Sequence, residues 1–332
     1  MRLASFNLDS LDIRPKVAVS LNDRIPILRP QLERLRADVL CLQEINGQHL
    51  PSGGPRALLA LDKLLEGTRY QGYTRAVSTA QNDAGPADVH NLVTLTRWPI
   101  LKSQSIRNAI VPPLSYRSLT SLPTAALQME LAFERPILVT DIEFAAGQIL
   151  TVINVHFRAP IAAPISGQKE SALVWKSVAG WAEGYAVAAW KRTAQALETR
   201  LLIEKLMDED GDRFIVTAGD FNAEDHETPL KILIGAEEDT GNGVLAKRAL
   251  VVLDRSLAVD RRFSVVHHGR AQMLDHILVS RPMLAYFREI EAHNETVPDE
   301  LLTFGRVRQE PGSPHAPIVA EFDFSTARTP LP

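Results

Sequence analysis

Cysteine is nearly absent from this sequence, since Cys41 is the only one among 332 residues. A single thiol cannot form a disulfide within the chain. Cys41 lies inside the apolar run Val39-Leu40-Cys41-Leu42, where free cysteine usually behaves as a small hydrophobic residue. We therefore expect Cys41 to be buried and to play no catalytic part.

Long apolar runs are missing as well. No stretch is apolar for long enough to span a bilayer. The first residues, Met1 to Asn7, lack the apolar segment of a secretory signal. The sequence therefore predicts a cytoplasmic protein with no membrane insertion, and it leaves the oligomeric state open.

The chain also lacks a long basic run, and its formal net charge is -4, with 36 basic and 40 acidic residues. A protein that coats nucleic acid presents a broad basic surface, because phosphate neutralisation supplies most of the affinity. The charge balance argues against such a surface. It does not exclude a local groove that binds nucleic acid.

No internal repeat or low-complexity linker divides the chain, which is 45% hydrophobic, as soluble globular proteins usually are. We expect one domain over 1–324 and a tail over 325–332. Segment 158–183, rich in Ala, Gly and Pro, is interpreted as an insertion. It begins just after His156, so it is either a substrate-selecting lid near a site or a packing loop.

Apolar runs predict the secondary structure of the chain. Alternation and turn signals predict strands over 2–7, 38–42, 92–96, 137–144, 148–156, 214–216, 262–266, 274–280 and 316–324. Helical spacing of apolar residues predicts helices over 24–36 and 58–65, and a long helix containing 190–201.

Many of these apolar runs end beside a residue that can bind a metal or move a proton. The residues are Asn7, Glu44, His156, Asp220, Asn222, Asp275 and His315. A carboxylate at the buried end of a strand costs free energy unless a cation or a hydrogen bond compensates it. Oxygen ligands without cysteine favour Mg²⁺, with Mn²⁺ as the alternative, over a structural zinc.

Six short motifs carry these residues, in a fixed order along the chain. They are Ser5-Phe6-Asn7, Leu42-Gln43-Glu44, Asn154-Val155-His156, Gly219-Asp220-Phe221-Asn222, Leu274-Asp275-His276 and Ser313-Pro314-His315-Ala316-Pro317. In order and spacing the chain resembles the endonuclease/exonuclease/phosphatase superfamily, from Arg2 to about Phe322. The resemblance implies an α/β four-layer sandwich, in which two mostly antiparallel sheets pack face to face with helices outside.

The resemblance also implies a Mg²⁺-dependent phosphoesterase. Glu44 would be the main metal ligand, with Asn7 close to the same ion. Asp220 would position or deprotonate the attacking water, and Asn222 would hold that water or a phosphoryl oxygen. His156 would contact the phosphate and stabilise its charge.

The remaining pair and one departure from the family pattern lie near the carboxyl terminus. Asp275 would orient His315, which would act on the phosphate or on the attacking water. The family's usual motif at this place is Ser-Asp-His-x-Pro. In this chain Pro314 replaces the acidic residue of that motif. Because Pro314 cannot bind a cation, we expect weaker metal binding or one ion only.

The substrate is a phosphate ester in this interpretation, and a nucleic acid and a small or lipid-derived phosphate both remain open. The rival hypothesis is a catalytically silent binding module of the same fold, against which the retained carboxylates and histidines argue.

Some nearby polar residues have simpler explanations. His276 is expected to be structural, and Asp9 and Asp12 are expected to be solvated loop carboxylates. Arg192 and Gln195 resemble a helix motif of the family but fit a polar helix surface equally well.

Overall fold

The computed structural model describes residues 1–14, 19–50, 53–81, 85–172, 174–235, 243–299 and 310–325. All but the first residue of the predicted tail, 325–332, lies outside the described residues. None of the described helices combines the length and the apolar character needed to cross a membrane.

The described helices are mostly short. The α-helices are α1 Leu21–Leu35, α2 Leu59–Leu65, α3 Val178–Glu209, α4 Thr228–Ile234 and α5 Arg281–Leu284. Short 3-10 helices occupy Gly243–Arg248, Leu253–Ser256 and Val259–Arg261.

The strands are distributed over the whole chain. They are β1 Arg2–Leu11, β2 Val39–Ile45, β3 Thr74–Val77, β4 Asn91–Thr96, β5 Ile100–Ile106, β6 Leu114–Tyr116, β7 Met129–Leu131, β8 Ile137–Ala145, β9 Gln148–His156, β10 Phe214–Asp220, β11 Val251–Val252, β12 Val265–His267, β13 Arg270–Gln272, β14 Asp275–Val279, β15 Phe287–Ala292 and β16 Ile318–Phe322.

Two six-stranded sheets form the centre of the molecule, in the orders β15-β16-β1-β2-β4-β3 and β11-β14-β10-β9-β8-β5. One apolar cluster joins the facing sides of the two sheets and includes Val39, Cys41, Val152 and Val216. Separate clusters join α1 and α2 to the outer side of the first sheet, and α3 and α4 to that of the second. This confirms the predicted four-layer sandwich.

The two sheets share a strand arrangement that fixes where the site lies. Each contains one parallel pair, β1 with β2 and β9 with β10, and every other pairing within them is antiparallel. The antiparallel neighbour β16 begins opposite Ser5 of β1, and β14 begins opposite Asp220, the last residue of β10. The ends of four strands and the beginnings of two others therefore meet at one edge of the sandwich.

A buried polar bridge joins the sheets just below this edge. The Gln43 amide nitrogen donates to Asn154 Oδ1 at 2.9 Å and to Ser5 Oγ at 3.1 Å. Asn154 Nδ2 in turn donates to the backbone oxygens of Leu42 and Val93, at 3.3 and 3.1 Å. These amides thus hold one sheet at a fixed position on the other.

We expect Asn154→Leu to destabilise the fold by about 1–3 kcal/mol, because it leaves buried carbonyl and amide groups without partners. Urea unfolding of Asn154→Leu, Gln43→Leu and the double variant measures their coupling. The double variant should be more stable than the sum of the single losses predicts, by about 0.5 kcal/mol or more. Additive losses would show that the bridge does not act as a unit.

The predicted elements differ from the observed ones mainly at sheet edges. The strand predicted over 262–266 is wrong in its first part, because a 3-10 turn ends at Arg261 and β12 begins only at Val265. The short or solvated strands β3, β5, β6, β7, β11, β13 and β15 were not predicted. α3 begins at Val178, so only the part of segment 158–183 before that residue forms a loop.

Candidate active site

Asn7 and Glu44 enter the site from the parallel pair of the first sheet. The Asn7 side chain is fully buried, and its Nδ2 donates to Asp220 Oδ2 at 3.0 Å and lies 3.4 Å from Glu44 Oε1. Glu44 adopts a left-handed backbone conformation, with φ of 61°, where β1 and β2 shift register. The backbone N–H and the hydroxyl of Ser10 both donate to Glu44 Oε2 at 3.0 Å.

Glu44 stays ionised despite its burial. Burial acts to raise the pKa of Glu44, but the neighbouring His156, His90, Arg135 and His315 side chains outweigh it and lower the pKa to about 2. The carboxylate is therefore available to a cation throughout the neutral pH range.

Asp220 ends β10, which approaches β9 unusually closely. Gly219 has φ of 148°, and a Cβ there would lie 1.9 Å from the backbone oxygen of Val155. Only glycine fits, which explains its place in the Gly-Asp-Phe-Asn motif. The Asn222 backbone N–H donates to Asp220 Oδ1 at 2.8 Å, and Asn222 Nδ2 lies 3.2 Å from Asp220 Oδ2.

His156 lies directly beside Asp220 in the register of the parallel pair β9 and β10. Its Nε2 is 3.3 Å from Asp220 Oδ2 and 3.5 Å from Glu44 Oε1. Burial would raise the pKa of Asp220, but the His156 hydrogen bond and the charge of His315 hold it well below its usual range. Asp220 is thus a carboxylate at neutral pH.

Asp275 and His315 form the pair that the motifs predict. Asp275 is fully buried, and its Oδ2 lies 2.8 Å from His315 Nδ1. Burial opposes the charge of His315, but the Asp275 carboxylate, followed by Asp220 and Glu44, raises the pKa of His315 to about 10. His315 Nε2 faces Asp220 Oδ2 at 4.0 Å, so the pair points at the same place as the other groups.

Ser313 explains how the loop before β16 is held. Its hydroxyl donates to the backbone oxygen of Asn7 at 2.7 Å and accepts the backbone N–H of His315 at 3.1 Å. Pro314 lies between them and contributes no carboxylate. The structure thus brings all the predicted site residues to one edge, with Asn222 joined to Asp220 and Phe157.

The donor set fits a divalent cation. Glu44 and Asp220 direct one oxygen each at the same donors, Asn7 Nδ2 and His156 Nε2, so their negative charges are crowded together. A divalent cation would offset that crowding, and carboxylate oxygens are the ligands that Mg²⁺ and Mn²⁺ prefer. Asn7 presents Nδ2 to the two carboxylates and its Oδ1 accepts the Asp9 backbone N–H, so its amide would rotate to offer an oxygen to the ion.

Two residues of the site were not predicted. Arg135 lies 2.5 Å from His156 Nε2 and donates to the backbone oxygen of Phe157 at 2.7 Å. His90 Nδ1 is 3.7 Å from Glu44 Oε2, and burial and the Arg135 charge lower the pKa of His90 to about 4. Neither follows a predicted strand. Their one sequence signal is position, since His90 immediately precedes β4 and Arg135 lies two residues before β8.

The structure also tests the expectations for the polar residues that have simpler explanations. His276 is structural, because its ring nitrogens contact Asp254 Oδ2 at 2.7 Å and a backbone oxygen at 2.9 Å. The expectation of a solvated Asp12 is wrong, since it is 2% exposed and binds the backbone and side chains of its neighbours. Gln195, 1% exposed, holds the backbone of Arg135 and Arg158.

Comparisons with known proteins bear on the family and the fold of this chain. A sequence profile of the Endonuclease/Exonuclease/phosphatase family matches residues 4–295. No curated protein sequence matches this chain.

Three solved structures illustrate the likeness of fold. The endonuclease/exonuclease/phosphatase family protein from Leptotrichia buccalis C-1013-b is 14% identical, with 98% of this chain and 100% of that one covered and a TM-score of 0.54. Truncated TDP2 from Caenorhabditis elegans is 14% identical, with 97% and 96% covered and a TM-score of 0.55. The AP endonuclease from Archaeoglobus fulgidus is 16% identical, with 97% and 99% covered and a TM-score of 0.51.

At such low identity these structures show a shared fold, whereas the profile covers most of the chain and shows descent. The chain belongs to the endonuclease/exonuclease/phosphatase family, whose members are metal-dependent hydrolases of phosphate esters.

Proposed function

We propose that this protein hydrolyses a phosphate monoester or diester by in-line attack of water, with Mg²⁺ or Mn²⁺ held by Glu44 and Asn7. One observation carries the proposal. Asp220 Oδ2 lies 3.0 Å from Asn7 Nδ2, 3.3 Å from His156 Nε2 and 4.0 Å from His315 Nε2, so groups from both sheets face one point.

Asp220 is the residue we assign to the attacking water. Its carboxylate is ionised and held by the backbone N–H of Asn222, so it can accept a hydrogen bond from water in a fixed direction. The Asn222 amide beside it is positioned to hold the same water or a phosphoryl oxygen.

His156, Arg135 and His315 are assigned to the phosphoryl group. Phosphoryl transfer places growing negative charge on the phosphoryl oxygens, and fixed donors stabilise that charge. His315 is oriented through Nδ1 by Asp275, which leaves Nε2 directed at the site. A bound divalent ion would supply further positive charge beside the same oxygens.

Nucleic acid remains the second candidate substrate. Its support is the fold shared with an AP endonuclease. The net charge of -4 weighs against it, because a nucleic-acid surface is usually basic. The cytoplasmic location also remains a prediction.

Turnover of p-nitrophenyl phosphate and bis-p-nitrophenyl phosphate tests the proposal. After treatment with EDTA, activity should disappear, and addition of excess Mg²⁺ or Mn²⁺ should restore it. The ratio of the two rates distinguishes a monoesterase from a diesterase. Turnover that survives EDTA would contradict the metal assignment, and the absence of turnover with both esters and both ions would favour the silent binding module.

A further inference from the structure

A cavity of about 810 Å³ opens beside the candidate site. His90 and Arg135, which contact Glu44 and His156, also line its near end. Cavities of this size hold organic ligands of moderate size. The position makes the cavity continuous with the place where a phosphoryl group would react.

Two segments outside the paired sheets build the far walls. One runs from β6 to β7, and the other lies within the loop that follows His156. Their apolar side chains pack together in one cluster with α3, in which Leu131, Ala163, Ile165 and Val187 are buried. The inner surface of the cavity is therefore largely apolar.

Glu183, on α3, holds the β6–β7 segment in place. Its carboxylate accepts the backbone N–H groups of Leu119 and Thr120 at 2.7 and 2.8 Å and the Tyr116 hydroxyl at 2.8 Å. Leu122 N–H donates to the backbone oxygen of Ser166 at 2.9 Å, which joins the two segments. These hydrogen bonds hold the walls of the cavity in place without a bound ligand.

The near end of the cavity carries positive charge. Arg135 and Arg158 both line it, and Arg158 Nε is buried without a hydrogen-bond partner among the described residues. The third cation, Lys191, is already paired with Glu134. An anionic group at this end would find an unpartnered Arg158 Nε–H beside an apolar chamber.

We propose that this cavity binds the apolar part, an alkyl, acyl or aryl group, of the phosphate ester whose phosphoryl group reacts at Asp220. The inference rests on the proposed function and adds the substrate class. Nucleobases are poorer occupants, because their edges are commonly read by amide side chains and no Asn or Gln lines the cavity in the described part of the chain.

Binding of an alkylphosphonate series, methyl to decyl, to the Mg²⁺-loaded protein tests the inference by calorimetry. Each methylene that enters the cavity should tighten binding about fourfold, until the cavity is full. Ala126→Trp, which places a large ring in the wall, should abolish most of this gain. Leu127→Trp is the matched control. Leu127 follows Ala126 in the sequence but does not line the cavity, so this variant should retain the gain in affinity per methylene.

Affinity that does not depend on chain length in the wild type would overturn the inference, as would equal effects of the two tryptophans. The proposed function fails separately. If the longer phosphonates bind more tightly but no p-nitrophenyl alkyl phosphate is hydrolysed, the cavity inference stands and the phosphoesterase proposal falls. If methyl and octyl esters are hydrolysed with equal kcat/KM, the cavity inference falls and the phosphoesterase proposal stands.

A last comparison identifies the source of the apolar group. Two lipid samples are compared with glycerol phosphate: a dihexanoyl phospholipid dissolved as monomers, and vesicles of a long-chain phospholipid with the same headgroup. At least one of the two lipids should be cleaved faster than glycerol phosphate. A preference for vesicles indicates a lipid surface, and a preference for monomers indicates a free organic phosphate. Glycerol phosphate cleaved as fast as both lipids would overturn the inference.

Discussion

Asp220→Asn should lower kcat by about 10³-fold, the middle of the range for loss of a residue that handles a proton in the transition state. The substitution keeps the size of the side chain and the oxygen that accepts the Asn222 backbone N–H. It removes the negative charge that faces His156 and the water we assign to attack. Folding should survive, so the loss is one of chemistry, measured by steady-state kinetics with bis-p-nitrophenyl phosphate at saturating Mg²⁺.

Asp225→Asn is the matched control for this variant. Asp225 lies on the loop after Asn222, but its carboxylate pairs with Arg255 at 2.7 Å and Arg262 at 3.0 Å and does not contact the site residues. Its activity should remain within about twofold of wild type, as expected for a substitution outside the transition-state contacts. Unchanged turnover in Asp220→Asn would remove Asp220 from the mechanism, and a comparable loss in Asp225→Asn would indicate a structural effect.

Glu44→Gln should weaken Mn²⁺ binding by about 100-fold. Loss of a residue that only supports a metal ligand costs about 10- to 100-fold in affinity, and loss of a charged ligand should cost at least the upper value. Glu44 offers the ion a carboxylate that is ionised at neutral pH, with a pKa near 2, and glutamine offers only a neutral oxygen. Titration with Mn²⁺ followed by electron paramagnetic resonance measures the affinity without requiring turnover. Activity should fall in parallel and recover partly at high Mn²⁺.

The same titration counts the ions. Because Pro314 stands where the family resemblance implies a carboxylate, we expect either weaker Mn²⁺ binding or one Mn²⁺ per chain in the wild type. Glu33→Gln is the control, since Glu33 is a surface residue that pairs with Arg69. Two tight sites in the wild type would contradict both forms of this expectation, and an unaltered affinity in Glu44→Gln would show that the ion binds elsewhere.

The fold and the centre of the site were readable from the sequence because both depend on local patterns. Each central strand is an apolar run that ends in a polar residue, as Val152 to His156 shows. A parallel pair then places two such ends side by side, so linear motifs become neighbours in space. The Asp275–His315 pair was predictable for the same reason, since β14 and β16 begin at the same edge.

The residues that sequence reasoning missed have no such periodic context. His90 and Arg135 lie in irregular segments, and their proximity to His156 depends on how those loops fold over the sheet. The edge strand β15, Phe287–Ala292, alternates charged and apolar residues too weakly to distinguish it from a loop. The cavity depends on packing between Leu131 and Val187, which are distant in the chain and carry no local signal.

The place of β16 in the first sheet has a consequence for synthesis of the chain. β1 is made before β16, its partner on one side, which pairs Ile318 with Ser5 and is preceded by His315 of the candidate site. The ribosome must therefore synthesise the chain as far as β16 before the first sheet can be completed. Until then the edge of β1 is unpaired and can aggregate or bind chaperones. A product terminated before β16 is therefore both prone to aggregation and inactive.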